Sequence, residues 1–423
     1  MEYFVCMDDK GIWYELDQET QTAAVIESDN EDEEYQGEIQ IPEVVIYEGV
    51  EYTVTAIVGL AFYNCSGLTS ITIPESVMSI GHSAFSRCSG LTSIVVAENN
   101  AIYDSRNNCN AIIETNTNKL ITGCSKTIIP ESVTKIDGGA FSSCKGLTSI
   151  TIPENVEEIG FLAFYGLNEL TSIIVAENNP IYDSRNGCNA IIETNTNTLI
   201  AGCSTTIIPE NVTKIGSGAF GGCSGLTSFT IPKNVEEIGS WAFSGCRSLT
   251  TITIPESVTK IEGCICDGCS SLTSIIVDEN NEFYDSRNGC NAIIETNTNT
   301  LIAGCSATII PECVTKIGTD AFDGCSGLSS IAIPKSVEEI ESLAFSDCSG
   351  LTSITIPESV TEMGSSAFEG CSNLKEVYCY NFSQDWNDAF DESLVGEITL
   401  HVPEHALDYV QKSFKKIVPL KQK

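Results

Sequence analysis

Apolar and polar residues alternate along the chain in a frame that recurs every 23 residues. In the unit that begins at Leu68, Ile71 and Ile73 continue the apolar side of a short strand, and Pro74 ends the strand. Ten leucines start this frame: Leu68, Leu91, Leu147, Leu170, Leu226, Leu249, Leu272, Leu328, Leu351 and Leu374. One such unit cannot bury its apolar side alone, so the pattern predicts a solenoid of stacked coils that share one core.

Three units are longer because each contains an insert. The segment 103–124 recurs from Tyr182 and from Tyr284. Its middle predicts a β-hairpin, with Ile112 and Ile113 facing Leu120 and Ile121 across the polar turn 115–118. The chain then returns to the solenoid through a further strand that ends at Ile128-Ile129-Pro130.

One strand position distinguishes the long units from the short ones. Short units carry threonine there, as at Thr72, whereas the long units carry Val95, Ile174 and Ile276. A β-branched apolar residue at an otherwise solvated position favours a cover, so we expect each hairpin to fold over this part of the sheet.

The two ends differ from the repeats and predict caps. Residues 1–37 are expected to form an N-terminal β cap, and residues 38–403 the solenoid, with inserts at about 97–126, 176–205 and 278–307. Residues 404–423 are expected to form a capping helix and a tail, the helix running from Glu404 to Lys416 with an apolar face. That face comprises Ala406, Leu407, Val410 and Phe414. The acidic run 29–34 lacks the glycine of a calcium-binding loop and is interpreted as a solvated loop.

The repeat L-T-S-I-T-I-P-E-S-V-T-K-I-G and the block from Asp104-Ser105-Arg106 to Cys124 resemble the BspA-like leucine-rich repeat proteins of gut and oral anaerobes. The resemblance covers nearly the whole chain, from the Ile39 strand to Leu400-His401-Val402-Pro403. It implies an α/β repeat solenoid of the leucine-rich-repeat type, mainly short parallel strands with short helical or turn segments. It also implies surface display and adhesion to host matrix proteins or other cells, and it supplies no catalytic residues.

Charge excludes one class of function and leaves the location of the protein open. The 423 residues carry a formal net charge of −37 at pH 7, which repels nucleic acid and anionic lipid surfaces. Apolar residues are 42% of the chain, enough for a folded core, and no apolar run is long enough to span a membrane. We expect an extracellular or cell-surface protein if an export signal precedes Met1, and a cytoplasmic one otherwise.

Twenty cysteines raise the question of disulfides and metals. Nine of them share one column of the frame: Cys65, Cys88, Cys144, Cys223, Cys246, Cys269, Cys325, Cys348 and Cys371. Leu167 takes this place in the tenth unit, so the column predicts buried, free core thiols. Three further pairs are each 15 residues apart, and the sequence leaves open whether they are disulfides or packed thiols: Cys109/Cys124, Cys188/Cys203 and Cys290/Cys305. The cluster Cys264-Cys266-Cys269 lacks a fourth local ligand, so neither a metal site nor a cofactor is predicted.

Two sets of residues are candidates for a binding surface. The first is a ladder of hydroxyl residues on the outward strand face: Ser70, Thr72, Ser149, Thr151, Ser228, Thr230, Thr253, Ser353 and Thr355. The second is a repeated acid–base pair in each insert: Asp104 with Arg106, Asp183 with Arg185, and Asp285 with Arg287. These pairs are interpreted either as a binding motif or as local ion pairs that fix each insert.

The sequence therefore predicts a non-enzymatic, adhesin-like binding protein, expected to be a monomer. Its extended surface would meet a protein or glycan ligand, with the extracellular matrix as one candidate, and repetition would supply avidity. The alternative is an intracellular protein-interaction scaffold with reduced core thiols. An enzyme such as a glycan hydrolase would need two converging carboxylates, and the acidic residues fall mainly in outward columns. None of the three histidines, His82, His401 and His405, has a nucleophile at a catalytic spacing.

Overall fold

The computed structural model describes residues 3–28, 34–382, 384–390, 392–410, 414 and 416–420. Most of the acidic run, residues 29–33, lies outside the described residues. The chain divides into two compact units: Met1–Asn195 with Ala201–Thr206, and Thr196–Ile200 with Ile207–Lys423. Short strands dominate both units, as the leucine-rich-repeat prediction requires.

Six strands open the first unit. They are β1 (Tyr3–Met7), β2 (Trp13–Asp17), β3 (Thr22–Val25), β4 (Gly37–Gln40), β5 (Val44–Tyr47) and β6 (Val50–Ile57). Strands β1, β2 and β3 form an antiparallel meander, and β3 pairs in parallel with β6. Buried and exposed residues alternate along β2, with Tyr14 and Leu16 fully buried. Strands β1, β2 and β3 lie within the segment 1–37 that is expected to form the β cap.

Parallel strands at 23-residue intervals build the repeats of the first unit. These strands and those of the inserts are β7 (Leu68–Ile73), β8 (Ser79–Ile80), β9 (Ser93–Val96), β10 (Tyr103–Asp104), β11 (Ala111–Glu114), β12 (Lys119–Gly123), β13 (Lys135–Ile136), β14 (Ser149–Ile152), β15 (Glu158–Ile159), β16 (Ser172–Val175), β17 (Tyr182–Asp183) and β18 (Ala190–Glu193). Strand β7 lies between β4 and β9, and β14 pairs with β16. A second row pairs β13 with β15, so each complete coil contributes two short strands.

The first insert contains the predicted hairpin. Strands β11 and β12 are antiparallel, with Ile113 opposite Leu120, and the register shifts between Ile112 and Ile113. Strand β12 then pairs in parallel with β13, so the hairpin joins the second strand row. The strand predicted to end at Pro130 does not form. The reason is that the N–H of Ile128 donates to the carbonyl oxygen of Cys109, at 3.1 Å, in the turn that precedes the hairpin.

The second unit repeats this architecture. Its strands and helices are β19 (Thr198–Gly202, which begins in this unit), β20 (Lys214–Ile215), β21 (Glu237–Ile238), β22 (Thr251–Ile254), β23 (Lys260–Ile261), β24 (Ser274–Val277), β25 (Tyr284–Asp285), β26 (Ile293–Glu295), β27 (Thr300–Ala303), β28 (Lys316–Ile317), β29 (Glu339–Ile340), β30 (Ser353–Ile356), β31 (Glu362–Met363), β32 (Glu376–Cys379), α1 (Glu392–Val395), β33 (Thr399–Val402), α2 (Leu407–Val410) and β34 (Lys416–Pro419). Hairpin β26–β27 pairs in parallel with β28, as in the first insert. No strand is assigned to residues 226–231 or 328–333, although Leu226 and Leu328 are buried. There the coil of Leu226 is joined to the next coil by isolated backbone hydrogen bonds. For example, the N–H of Thr250 donates to the Thr227 carbonyl oxygen at 3.2 Å.

The C-terminal helix is shorter than predicted. A 3₁₀ turn at Glu404–Ala406 leads into α2, and Ala406, Val410 and Phe414 are buried as expected. Lys416, predicted to end the helix, instead begins β34, which pairs in parallel with β33. Residues 411–413, 415 and 421–423 lie outside the described part of the chain.

Columns of stacked phenylalanine rings and cysteines fill each core. Phe62 stacks on Phe85 in the first unit at 5.1 Å between ring centroids, and Phe345 stacks on Phe368 in the second at 5.3 Å. The cysteine column runs beside these rings: the Cys88 thiol donates to the Phe62 carbonyl oxygen at 3.0 Å. Aromatic pairs of this geometry stabilise a core by about 1 kcal/mol beyond their buried area.

Candidate binding surface

The predicted ladder of hydroxyl side chains is accessible. None of its nine residues is buried, because strand side chains alternate and their neighbours Ile71, Ile150, Ile252 and Ile354 face the core. Parallel pairing sets Thr72 beside Val95 and Thr151 beside Ile174, one coil apart. Among the described residues, none of the nine side-chain hydroxyls has a hydrogen-bond partner within the protein. These hydroxyls therefore keep their full capacity to donate to and accept from a ligand.

The prediction that the hairpins cover Val95, Ile174 and Ile276 is wrong. These side chains are 46%, 53% and 46% exposed. The rejoining segments add three isoleucines with even greater exposure, Ile128, Ile207 and Ile309, at 74–77%. The hairpin cannot act as a cover because β12 enters the second strand row, away from the row that carries Val95. The outward strand face thus presents β-branched apolar side chains as well as hydroxyls.

The acid–base pair of the first insert is a local clamp. Arg106 donates from Nε to Asp104 Oδ1 at 2.7 Å and contacts Oδ2 through its second terminal nitrogen at 2.5 Å. The other terminal nitrogen donates to Asn118 at 2.8 Å and to Ser132 at 3.1 Å. The hydrogen bonds to Asp104 are the main cause of a raised pKa of the Arg106 guanidinium.

The other two inserts repeat the clamp. Arg185 holds Asp183 at 2.7 Å through Nε, and Arg287 holds Asp285 at the same distance. Bidentate pairing of this kind fixes geometry strongly. The bonding matches the interpretation as ion pairs that fix each insert, since both carboxylate oxygens of Asp104, Asp183 and Asp285 are used internally.

All twenty cysteines lie in the described residues, and all are free thiols; Cys313 is exposed and the others are buried. In the first insert, Cys109 Sγ contacts the Ala111 carbonyl oxygen at 3.9 Å and Cys124 Sγ donates to the Asn110 carbonyl oxygen at 3.4 Å. Burial raises the pKa of the Cys65 thiol to about 11 and that of Cys144 to about 12. Such protonated thiols are weak nucleophiles and pack as small apolar groups.

Two features of the site were not apparent from the repeat pattern. A cleft in the first unit, beside the first insert, is lined by His82, Glu114, Lys119 and Asp137. In the second unit, beside the third insert, Asp267, Asp320, Asp323 and Asp347 come together. The sequence signal that could have indicated these features is a difference between the repeated copies. Lys119 and Asp137 of the first copy correspond to Thr300 and Gly318 in the third.

Within the described ranges, no three His, Cys, Asp or Glu side chains are placed to hold a metal ion together. The described helices are all too short to cross a bilayer. His401 Nε2 lies 2.6 Å from Glu376 Oε2, and its ring stacks on Tyr378.

Comparison with solved structures finds similar leucine-rich repeat proteins. A leucine-rich cell surface protein from Faecalibacterium prausnitzii is 24% identical, with 100% of this chain and 96% of that chain covered and a TM-score of 0.40. A leucine-rich repeat protein from Bacteroides ovatus is 26% identical, with 94% and 99% covered and a TM-score of 0.36. The pneumococcal vaccine antigen PcpA is 17% identical, with 99% of both chains covered and a TM-score of 0.35. No curated protein matches the sequence.

The family model described as a BspA type leucine-rich repeat region matches four overlapping segments, residues 38–128, 111–198, 192–302 and 293–417. These segments contain all ten frame leucines and all three inserts. The expectation drawn from the sequence motifs is confirmed. The chain belongs to the family of BspA-type leucine-rich repeat proteins.

Proposed function

We propose that the protein is a non-enzymatic binding protein of the cell surface or the extracellular space, whose repeats form a solenoid with the strand face as its ligand surface. The observation that carries the proposal is the composition of that face. The chain has a net charge of −37, yet the ladder presents uncharged hydroxyls together with exposed valine and isoleucine. Uncharged amphipathic surfaces of this kind suit the core of a protein–protein or protein–glycan contact.

Membership of the BspA-type family supports this location, because the resemblance to that family implies surface display. In this proposal residues 1–37 and 404–423 cap the two ends of the solenoid at 38–403. The clamped pairs, such as Asp104 with Arg106, position the inserts, while the nine hydroxyl residues and their apolar neighbours contact the ligand. Many weak contacts on a repeated surface would act together.

The experiment is binding of the purified chain to immobilised matrix proteins, host glycans and bacterial surfaces, at low and at physiological salt. We expect saturable binding that survives physiological salt, because the hydroxyl and apolar side chains of the face are uncharged. The double variant Ile128→Lys with Ile309→Lys puts charge on the face and should weaken binding at least about tenfold. Met78→Lys adds one lysine at an apolar side chain that is 50% exposed but follows Val77, away from this strand row, and it should bind normally.

The alternative is an intracellular protein-interaction scaffold. The separate thiols of Cys109 and Cys124 favour it, because disulfides are rare in reducing compartments. Binding that is absent, or that disappears at physiological salt, would overturn the adhesin proposal and favour the scaffold. Alkylation and mass spectrometry of the chain taken from its own cells would separate the two: three insert disulfides would indicate export, and twenty free thiols would favour the scaffold.

A further inference from the structure

A polar cleft of about 260 Å³ lies in the first unit, beside the first insert. One wall is the turn from Ile80 to Ser86, and the opposite wall is formed by residues 137–139. Strand β12 and Glu114 line the side between them. The residues of the cleft belong to the second strand row and its following turns, so the cleft is separate from the strand that carries Ser70 and Thr72.

The cleft exists because the insert interrupts a ladder of backbone hydrogen bonds. Between consecutive ordinary coils, the N–H of Leu60 donates to the backbone carbonyl oxygen of His82 at 3.3 Å. The N–H of Phe62 likewise donates to the carbonyl oxygen of Ala84 at 2.8 Å. The next donors in this series are the N–H groups of Ser83 and Phe85, which line the cleft. In the insert, the N–H of Gly123 instead donates to the Ala140 carbonyl oxygen at 2.9 Å.

Two backbone donors are left over as a result. Within the described part of the chain, no acceptor is present for the N–H of Ser83 or of Phe85. Phe85 is only 5% exposed. A buried donor without a partner is costly, so this wall favours a ligand that accepts hydrogen bonds.

Side chains add both donors and acceptors to the cleft. Lys119 Nζ lies 3.1 Å from Asp137 Oδ1, and their charges offset each other. Glu114 accepts from the Thr117 hydroxyl. The His82 ring is exposed at the rim and makes no hydrogen bond within the described residues. Donors and acceptors therefore alternate around a space with little net charge.

The polar side chains of the cleft are particular to the first copy. The segments 103–124 and 284–305 differ at three positions, and two of these, Lys119 and Thr122, line the cleft. Outside the insert, His82 and Asp137 correspond to Gly263 and Gly318 in the third copy.

The third copy also closes the equivalent space. There the N–H of Gly268 donates directly to the Asp323 carbonyl oxygen at 3.2 Å. A Cβ on Gly324 would stand 2.5 Å from the Gly268 Cα, so the two turns are in contact. The open space and its charged lining thus occur together in the first copy.

We propose that this cleft binds one uncharged sugar residue, free or at the end of a glycan. Each sugar hydroxyl both donates and accepts, so it can bond the Ser83 and Phe85 N–H groups on one side and the carboxylates of Glu114 and Asp137 on the other. The space is at the small end for a ligand pocket, which fits a single ring. The acidic field of the protein disfavours an anionic ligand.

The test is ligand-observed saturation-transfer NMR on the full chain with glucose, galactose, mannose, fucose and N-acetylglucosamine as probes. At least one of them should bind saturably in the millimolar range, and glucuronate should not. Lys119→Thr and Asp137→Gly install the residues of the third copy. The first removes an ammonium donor that lines the cleft and the second a carboxylate acceptor, so each should weaken binding about tenfold. Threonine is already tolerated at this place in hairpin β26–β27, so Lys119→Thr is expected to fold.

Thr300→Ala, at the matching place in the third insert, should leave sugar binding unchanged. Thr72→Ala on the strand face should also leave it unchanged, which separates this site from the proposed adhesive surface. No saturable binding of any neutral sugar would overturn the proposal. So would wild-type affinity in the Lys119→Thr variant, or binding of glucuronate alone.

Discussion

The first and third inserts have nearly the same sequence, yet the turns beside them behave in opposite ways. Both contain the hairpin and the arginine clamp, with Nε of Arg106 and of Arg287 each 2.7 Å from its aspartate. Beside the first insert, the turns stay apart and leave the cleft at Ser83 and Phe85. Beside the third, Gly268 meets Gly324 and the aspartates pack around the contact.

This contrast distinguishes how the insert joins the second strand row from how far apart the flanking turns lie. The clamp and the hairpin register are common to both copies, so they determine how the insert joins the second strand row. The turns beside the two inserts differ in a few residues outside the hairpin. Arg87 and Ser143 occupy the places that Gly268 and Gly324 take in the third copy, and the larger side chains accompany the open arrangement.

The largest predicted effect is at the contact between Gly268 and Gly324 beside the third insert, which we call the closed junction. Gly324 has φ of +65°, and an added Cβ would lie 2.5 Å from backbone atoms of Gly268. Gly324→Ala should therefore lower the free energy of unfolding of the second unit by about 3 kcal/mol, through left-handed strain and a backbone clash. Urea titration followed by hydrogen exchange of the second-unit amides measures the loss.

Gly139→Ala is the matched control at the open junction, the turns at Ser86 and Gly139 beside the first insert. Gly139 has φ of +66°, but the nearest atom to an added Cβ is Ser86 Oγ at 3.6 Å. Strain alone should cost about 1 kcal/mol. Equal losses in the two variants would show that the junctions do not differ in their contact, and the comparison would fail.

The second effect is a dependence of stability on pH that belongs to the closed junction. Burial, and after it the charge of Asp267, raises the pKa of Asp323 to about 7; Asp320 and Asp347 add to the rise, and Ser346 opposes it through a hydrogen bond. The folded carboxyl is therefore protonated more readily than the unfolded one, whose pKa is about 4. The contribution of this carboxyl to the free energy of unfolding is fully present below pH 4 and is lost as the pH rises through 7. We expect the second unit to lose about 1 to 2 kcal/mol between pH 5 and pH 8, allowing for solvent screening of this half-buried group.

Denaturant titrations at pH 5 and pH 8 measure this dependence. Asp323→Asn should remove most of it, because the amide does not ionise. Asp137→Asn, beside the first insert, should leave it in place. A pH dependence that persists in Asp323→Asn would mean that another group causes it.

The smallest effect concerns the clamps. Arg106 donates to Ser132 at 3.1 Å, whereas Arg287 contacts the Cys313 thiol at 3.2 Å. Cys313 is exposed and the other nineteen cysteines are buried, so the folded chain should take up one equivalent of a thiol reagent. Blocking this thiol should change stability by less than about 0.5 kcal/mol. Mass spectrometry counts the label, Cys313→Ser should take up none, and rapid reaction of several thiols would contradict the burial of the cysteine column.

Periodic features could be predicted from the sequence because repetition averages out local ambiguity. The 23-residue frame follows from repetition, the hairpin with Ile113 opposite Leu120 from its apolar pattern, and the buried Cys88 column from Leu167 at the same place in one unit. The interpretation of Asp104 and Arg106 as a local ion pair also agrees with the geometry.

Features that depend on where the ladder breaks could not be predicted. The unpaired donors at Ser83 and Phe85 arise from a missing neighbour, which leaves no trace in their own residue types. Asp267 and Asp323 are far apart in sequence, and they meet only because the third insert brings its flanking turns together. The exposure of Val95 was misjudged because a β-branched residue is favoured on either face of a strand.

The hairpin has a consequence for how such genes change in length. Strand β12 takes its antiparallel partner from within the insert, and it presents to β13 the same parallel edge that an ordinary coil would. A recombination event that adds or removes whole coils therefore leaves every remaining edge matched. The two intervals between equivalent tyrosines, 79 from Tyr103 to Tyr182 and 102 from Tyr182 to Tyr284, differ by one 23-residue coil. Viable length variants of this protein should accordingly differ by whole coils, while partial deletions would misalign the apolar positions of every following strand.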